Sequence, residues 1–124
     1  MSERTAMWRF LLAIPIGWLM CIGGAVAEEL AFDLKVERGR VALNMRLIRV
    51  KQGDVVKLRW STDRAMDLHL HGYDIEKRIE PGTVSELTFT ARATGRFEVG
   101  VHVSARGGGH SHGAPLVQIE VYPR

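Results

Sequence analysis

From residue 28 onward, apolar and polar residues alternate in short runs. Leu30, Phe32, Leu34 and Val36 take every second position with Asp33 and Lys35 between them, the two-residue period of a strand buried on one face. Arg38-Gly39-Arg40 interrupts that run. A second strand is predicted with Val41, Leu43, Met45 and Leu47 on one face. The apolar phase then shifts to Ile48 and Val50, which predicts a bulge or a strand that changes sheets. Lys51-Gln52-Gly53-Asp54 makes a turn, and Val56, Leu58 and Trp60 point inward from the next strand. After a polar loop at Ser61–Arg64, Leu68 and Leu70 alternate with His69 and His71, so a strand here turns both histidines to one face. Tyr73–Glu80 reads as a short charged strand anchored by Ile75 and Ile79. Pro81-Gly82 turns the chain towards Leu87 and Phe89, and Thr94-Gly95 turns it again into Phe97, Val99, Val101 and Val103. Ser104–Ala114 is glycine-rich and predicts a loop, and Val117, Ile119 and Val121 close the pattern. No helix-period segment of useful length appears. Short strands spaced about ten residues apart, seven or eight in number, predict an all-β sandwich with Trp60, Phe89 and Phe97 in its core.

Residues 1–27 follow another rule. Arg4 and Arg9 precede Phe10–Ala27, a run of 18 residues without a charge that ends in Ala25-Val26-Ala27. A basic start, an apolar middle and a small-x-small ending predict a signal peptide cleaved before Glu28, and hence export to the periplasm. An uncleaved membrane anchor is the alternative, because the run reaches the lower edge of spanning length. Pro15, Gly17, Gly23 and Gly24 favour the signal peptide. Bulky Met20 before Cys21 disfavours a lipoprotein.

Export leaves residues 28–124 as one domain. Only Arg4, Arg9 and Glu3 are charged among residues 1–27, so 15 Lys/Arg and 13 Asp/Glu remain, a formal charge of +2. The charges are interspersed, and nothing points to nucleic acid. Cys21, the only cysteine, falls in the removed segment. The domain therefore has neither a disulfide nor a thiolate.

The five histidines are the candidate chemistry. His69 and His71 lie about 7 Å apart along one strand face, close enough for both imidazoles to reach one ion with a third ligand from elsewhere. His110-Ser111-His112 repeats the His-x-His spacing inside a glycine-rich loop that could wrap an ion. His102 lies between, and alternation points it away from the Val99, Val101 and Val103 face. Each pair alone also reads as solvated surface residues. Together they predict a metal site, and an all-imidazole set suits Cu(II), Zn(II) or Ni(II), with the affinity order favouring copper. Neutral imidazole is the ligand form, so affinity is expected to fall below about pH 6.5.

The order of these features resembles the cupredoxin family. Val50-Lys-Gln-Gly-Asp-Val-Val-Lys-Leu58, the histidine after the third strand, Pro81-Gly82 and Gly95-Arg-Phe-Glu-Val-Gly-Val101 fall in family order across about Phe32 to Pro123. The resemblance implies a Greek-key sandwich and places one copper-ligand histidine at His69. Its Gly-x-aromatic-x-x-x-Cys pattern puts the ligand thiolate at Val101. His110-Ser111-His112-Gly113-Ala114-Pro115-Leu116 resembles the His-Ser-Phe-Met-Pro run of the copper domain in cytochrome oxidase subunit II. That likeness places His110 on the second ligand histidine and Gly113 or Ala114 near the methionine. No methionine follows Met66. Valine cannot ligate copper, and blue-copper electron transfer needs a His₂Cys set, so that function is excluded. The resemblance also implies that Val101→Cys, with His69 and His110 retained, would restore type 1 character.

The leading expectation is an exported, non-enzymatic copper-binding protein using His69, His71, His110 and His112, with His102 a further candidate. Cu(II) is favoured and zinc is possible, and the partner is a periplasmic or membrane copper-handling protein. A metal-free interaction module is the alternative. A type 2 copper or zinc enzyme ranks third, since Asp67, Asp74 and Glu98 are the only nearby acids and no catalytic spacing accompanies them.

Overall fold

The computed structural model describes residues 26–102 and 113–124. Nine strands follow one another: β1 (Glu29–Glu37), β2 (Arg40–Val41), β3 (Leu47–Lys51), β4 (Val55–Thr62), β5 (Met66–Leu70), β6 (Ile75–Ile79), β7 (Ser85–Thr90), β8 (Gly95–His102) and β9 (Val117–Tyr122). They form two sheets, one ordered β2-β1-β4-β7 and the other β3-β9-β8-β5-β6. Two parallel pairs, β1 with β4 and β3 with β9, tie sequence-distant segments together. No helix among the described residues is long and apolar enough to cross a membrane. The segment read as a signal peptide lies outside the described residues, apart from Val26 and Ala27.

The sandwich arises because each strand offers one apolar face. Val56, Leu58 and Trp60 from β4, Leu68 and Leu70 from β5, Val99 from β8 and Val117, Ile119 and Val121 from β9 all meet in the core. Trp60 has no exposed surface and Phe89 only 5%. Phe97 is half-buried and packs against the core from its margin, edge-on to the Tyr73 ring at 4.9 Å. It is therefore a lid on the core rather than part of its interior.

The strand expected across Val41 to Leu47 does not exist. The chain crosses from one sheet to the other through a 3₁₀ turn at Leu43–Met45, which raises the strand count to nine. Leu43 is 79% exposed and Leu47 41% exposed, so neither faces the core. The shift of phase at Ile48 marks the change of sheets.

Candidate metal centre

Pairing of β5 with β8 decides where the histidines point. Leu68 stands opposite Val101 and Leu70 opposite Val99, and Leu68, Leu70 and Val99 are fully buried. The intervening residues therefore face outward: Asp67 opposite His102, and His69 opposite Gly100. On the other side of β5, Glu76 of β6 lies opposite His69 and Arg78 opposite Asp67. Arg78 donates to both Asp67 carboxylate oxygens at 3.2 Å.

Three imidazoles gather on this outer face. The His69 and His71 ring centroids are 4.4 Å apart, and those of His69 and His102 are 5.6 Å apart, both pairs nearly perpendicular. His71 lies over Gly100, where a Cβ would make an ordinary contact at 3.5 Å with His71 Nε2. His102, the weakest of the sequence candidates, thus belongs with His69 and His71 through the register of two strands distant in sequence.

The β5–β6 turn adds a carboxylate. Gly72 adopts φ +88°, and a Cβ there would lie 2.5 Å from the Phe97 ring, so only glycine fits. Asp74 is also left-handed at φ 53°, a conformation that aspartate tolerates better than most residues. The turn returns Asp74 towards the strand it left, and its Oδ1 lies 3.4 Å from His69 Nε2. The His69 side chain is only 17% exposed, whereas that of Asp74 is fully exposed. His69 Nδ1 is buried without a hydrogen-bond partner, an arrangement shared among the described residues only with the Trp60 indole nitrogen.

The donor chemistry fits a borderline cation: three imidazoles, one nearby carboxylate and no sulfur. An imidazole nitrogen bound at about 2.0–2.1 Å places its ring centroid about 3.2 Å from the ion, so two rings on one ion centre about 4.5–5.5 Å apart. The two observed separations, 4.4 and 5.6 Å, lie just outside the two ends of that range. In the ring positions shown, however, no three His, Cys, Asp or Glu side chains among the described residues are set around a common point. The imidazoles are neighbours rather than a closed shell, and rotation about the broad χ2 torsion is what would bring them to one ion.

The described histidines occupy the outer face of the five-stranded sheet, and one sequence expectation changes. His69 cannot share an ion with a thiolate at Val101, since Val101 follows the inward phase with Leu68 and His69 the outward phase. The likeness that put both on one copper fails at this pair. His110 and His112 lie outside the described residues. Sequence reasoning did not assign Gly72, Asp74 or Gly100 to the site. The Gly-x-Asp after the second histidine was the only local signal.

Two facing sheets with this strand order define a cupredoxin-like β-sandwich. No family model and no curated protein sequence matches the chain. Solved structures do. The solution structure of a copper binding protein in its apo form aligns with a TM-score of 0.59 at 10% identity, covering 79% of this chain and 92% of that one. Multicopper oxidase mgLAC aligns at 0.57 and 22% identity over 79% of this chain and 40% of that one. The multi-copper oxidase of Pseudomonas thermotolerans aligns at 0.55 and 20% identity, over 80% and 31%. This chain spans less than half the length of either oxidase. Likeness at these identities shows a shared fold.

Proposed function

We propose that the protein is an exported copper-binding protein that sequesters, buffers or delivers the ion without blue-copper electron transfer. The observation that carries this reading is the gathering of His69, His71 and His102 on one open sheet face, in a domain without a cysteine. The shared fold with an apo copper binding protein and with copper oxidases supports copper as the cargo. The uncharged run Phe10–Ala27 supports export.

Each part has a stated role. His69 is held by its strand and by the Asp74 turn, and His71 lies over Gly100. His102 approaches from β8, and His110 and His112 are the further candidate imidazoles of the sequence. Copper bound here is held as Cu(II) by nitrogen donors, with zinc as competitor. Without a soft sulfur ligand, Cu(I) is held less well and rapid redox cycling is disfavoured. An open face lets a periplasmic or membrane copper-handling protein reach the ion, which suits delivery better than burial would.

Metal analysis of the protein recovered from the periplasm without a histidine tag tests the reading. Near-stoichiometric copper without an intense blue band is expected. Metal-free protein that gains no thermal protection from Cu(II) would instead establish the metal-free interaction module, which the unconverged donor atoms favour.

A further inference from the structure

Among the described residues Asp54 is the one charged residue that is buried, at 3% exposure. It stands in the turn between β3 and β4, yet two of its three donors come from distant parts of the chain. Its Oδ1 accepts the Glu28 backbone N–H at 3.1 Å and the Arg124 guanidinium, and its Oδ2 accepts the Lys51 N–H. Arg124 also donates to the Val26 carbonyl at 2.7 Å. The Arg124–Asp54 pair thus holds the chain on both sides of the Ala27–Glu28 bond, where the sequence places cleavage. Val26, Ala27 and Glu28 are exposed, so that bond is open to attack.

Hydrolysis breaks the bond between the Ala27 carbonyl carbon and the Glu28 nitrogen. The hydroxyl of water goes to Ala27 and its hydrogen to Glu28. At neutral pH the new acid then loses a proton and the new amine takes one, which leaves an ammonium on Glu28. That nitrogen is already in place. The Glu28 carbonyl accepts the Val55 N–H at 2.9 Å, and Glu29 stands opposite Val55 in the β1–β4 register, so residue 28 stays anchored without the segment before it. A carboxylate has about four lone-pair sites, enough for an ammonium beside the other two donors.

We propose that Asp54 is the receiving site for the processed amino terminus, pairing with the Glu28 ammonium. This rests on the cleavage in the proposed function and goes beyond it. Before cleavage the contact is an amide hydrogen bond, and afterwards it is an ion pair, which burial of Asp54 protects from screening by salt. The other charged or titratable groups lining the same hollow are Arg49, Lys51, Tyr122, Arg124 and the Glu28 carboxylate. Arg49 is engaged by Glu120. Arg124 offsets part of the attraction, and the Glu28 carboxylate balances it. Register makes the site selective: a chain starting one residue earlier would carry its ammonium about 3.3 Å further along the strand.

The test uses protein recovered after export, with its first residue established by intact mass. The rate at which an acylating reagent labels the α-amino group is followed against pH, in wild type and in Asp54→Asn, which keeps an acceptor oxygen without the charge. In the wild type the group is expected to titrate about one unit above the usual 7.7–8.0, the lower end of what an opposite charge causes. Near pH 8 labelling is then several-fold slower than in Asp54→Asn, where the ordinary value returns. A value raised by folding adds stability below about pH 7.7 that is lost as pH rises through the folded value, so the unfolding midpoint falls across that window, and less in Asp54→Asn. Should Asp54→Asn not fold, the wild-type titration decides alone. An ordinary wild-type value, or the same raised value in Asp54→Asn, would overturn the pairing and leave the cleavage standing. Chains that begin anywhere but Glu28 would overturn both.

Discussion

Two aspartates in two inter-strand turns are treated in opposite ways. Asp54, between β3 and β4, is 3% exposed. Its Oδ1 accepts the Glu28 backbone N–H at 3.1 Å and the Arg124 guanidinium, and its Oδ2 accepts the Lys51 N–H at 2.9 Å. Arg124 in turn donates to the Gln52 and Val26 carbonyls. Asp74, between β5 and β6, is fully exposed and has one long contact, to a histidine whose other nitrogen is buried and unpartnered. Where the protein saturates its own polar groups, they close the fold, here by tying the start of β1 and the end of the chain to one turn. Where it gathers donors and leaves them unsatisfied, it leaves room for something else to satisfy them.

The largest expected effect separates these roles. Asp54→Ala leaves two backbone donors without their acceptor and removes the partner of the partly exposed Arg124 guanidinium, and is expected to cost about 1–3 kcal/mol in chemical denaturation. Asp74→Ala is expected to move stability by no more than about 0.5 kcal/mol. Equal losses would erase the distinction. Phe97→Ala is expected to cost about 2 kcal/mol, below the 3–5 kcal/mol of a fully buried ring, because Phe97 covers the core from its margin. A loss at the top of that range would show that the turn bearing Asp74 is continuous with the core.

Val101→Cys sharpens where copper binds. With Val101 and His69 on opposite faces, Cu(II) added to this variant is expected to give no intense band near about 600 nm, the region of His₂Cys sites. A blue protein would mean that the two faces exchange. The smallest effect concerns Asp63, whose carboxyl the Arg38 backbone N–H, donating at 2.8 Å, holds below the usual aspartate range. A folded-state value below the unfolded one contributes stability above the unfolded value and loses it as pH falls through the folded one. The unfolding midpoint is therefore expected to drop between about pH 5 and about pH 3, and to drop less in Asp63→Asn.

Much of this was legible from the chain alone. The two-residue period is local, so the core positions of β4, β5 and β9 could be read directly, and Leu68 and Leu70 already implied that His69 between them faces outward. The family likeness pulled against that reading, because it set His69 beside Val101. Residue parity was the better guide. The 3₁₀ crossing was hidden because Leu43, Met45 and Leu47 keep the parity of a strand while the chain changes sheets. Grouping His102 with His69 required the β5–β8 register, which links residues far apart in sequence and is fixed only when the sheet forms. Asp74 was visible as an acid, but its return to His69 depends on left-handed turn geometry.

The central claim is that the outer face of β5 and β8 holds the ion. Thermal unfolding with and without Cu(II), in wild type, His69→Ala and His102→Ala, tests it most directly, because an ion bound only by the folded state raises its unfolding midpoint. The account predicts a Cu(II)-dependent rise in the wild type that is lost in His69→Ala and reduced in His102→Ala. The same rise in all three proteins would place the ion elsewhere and contradict the account.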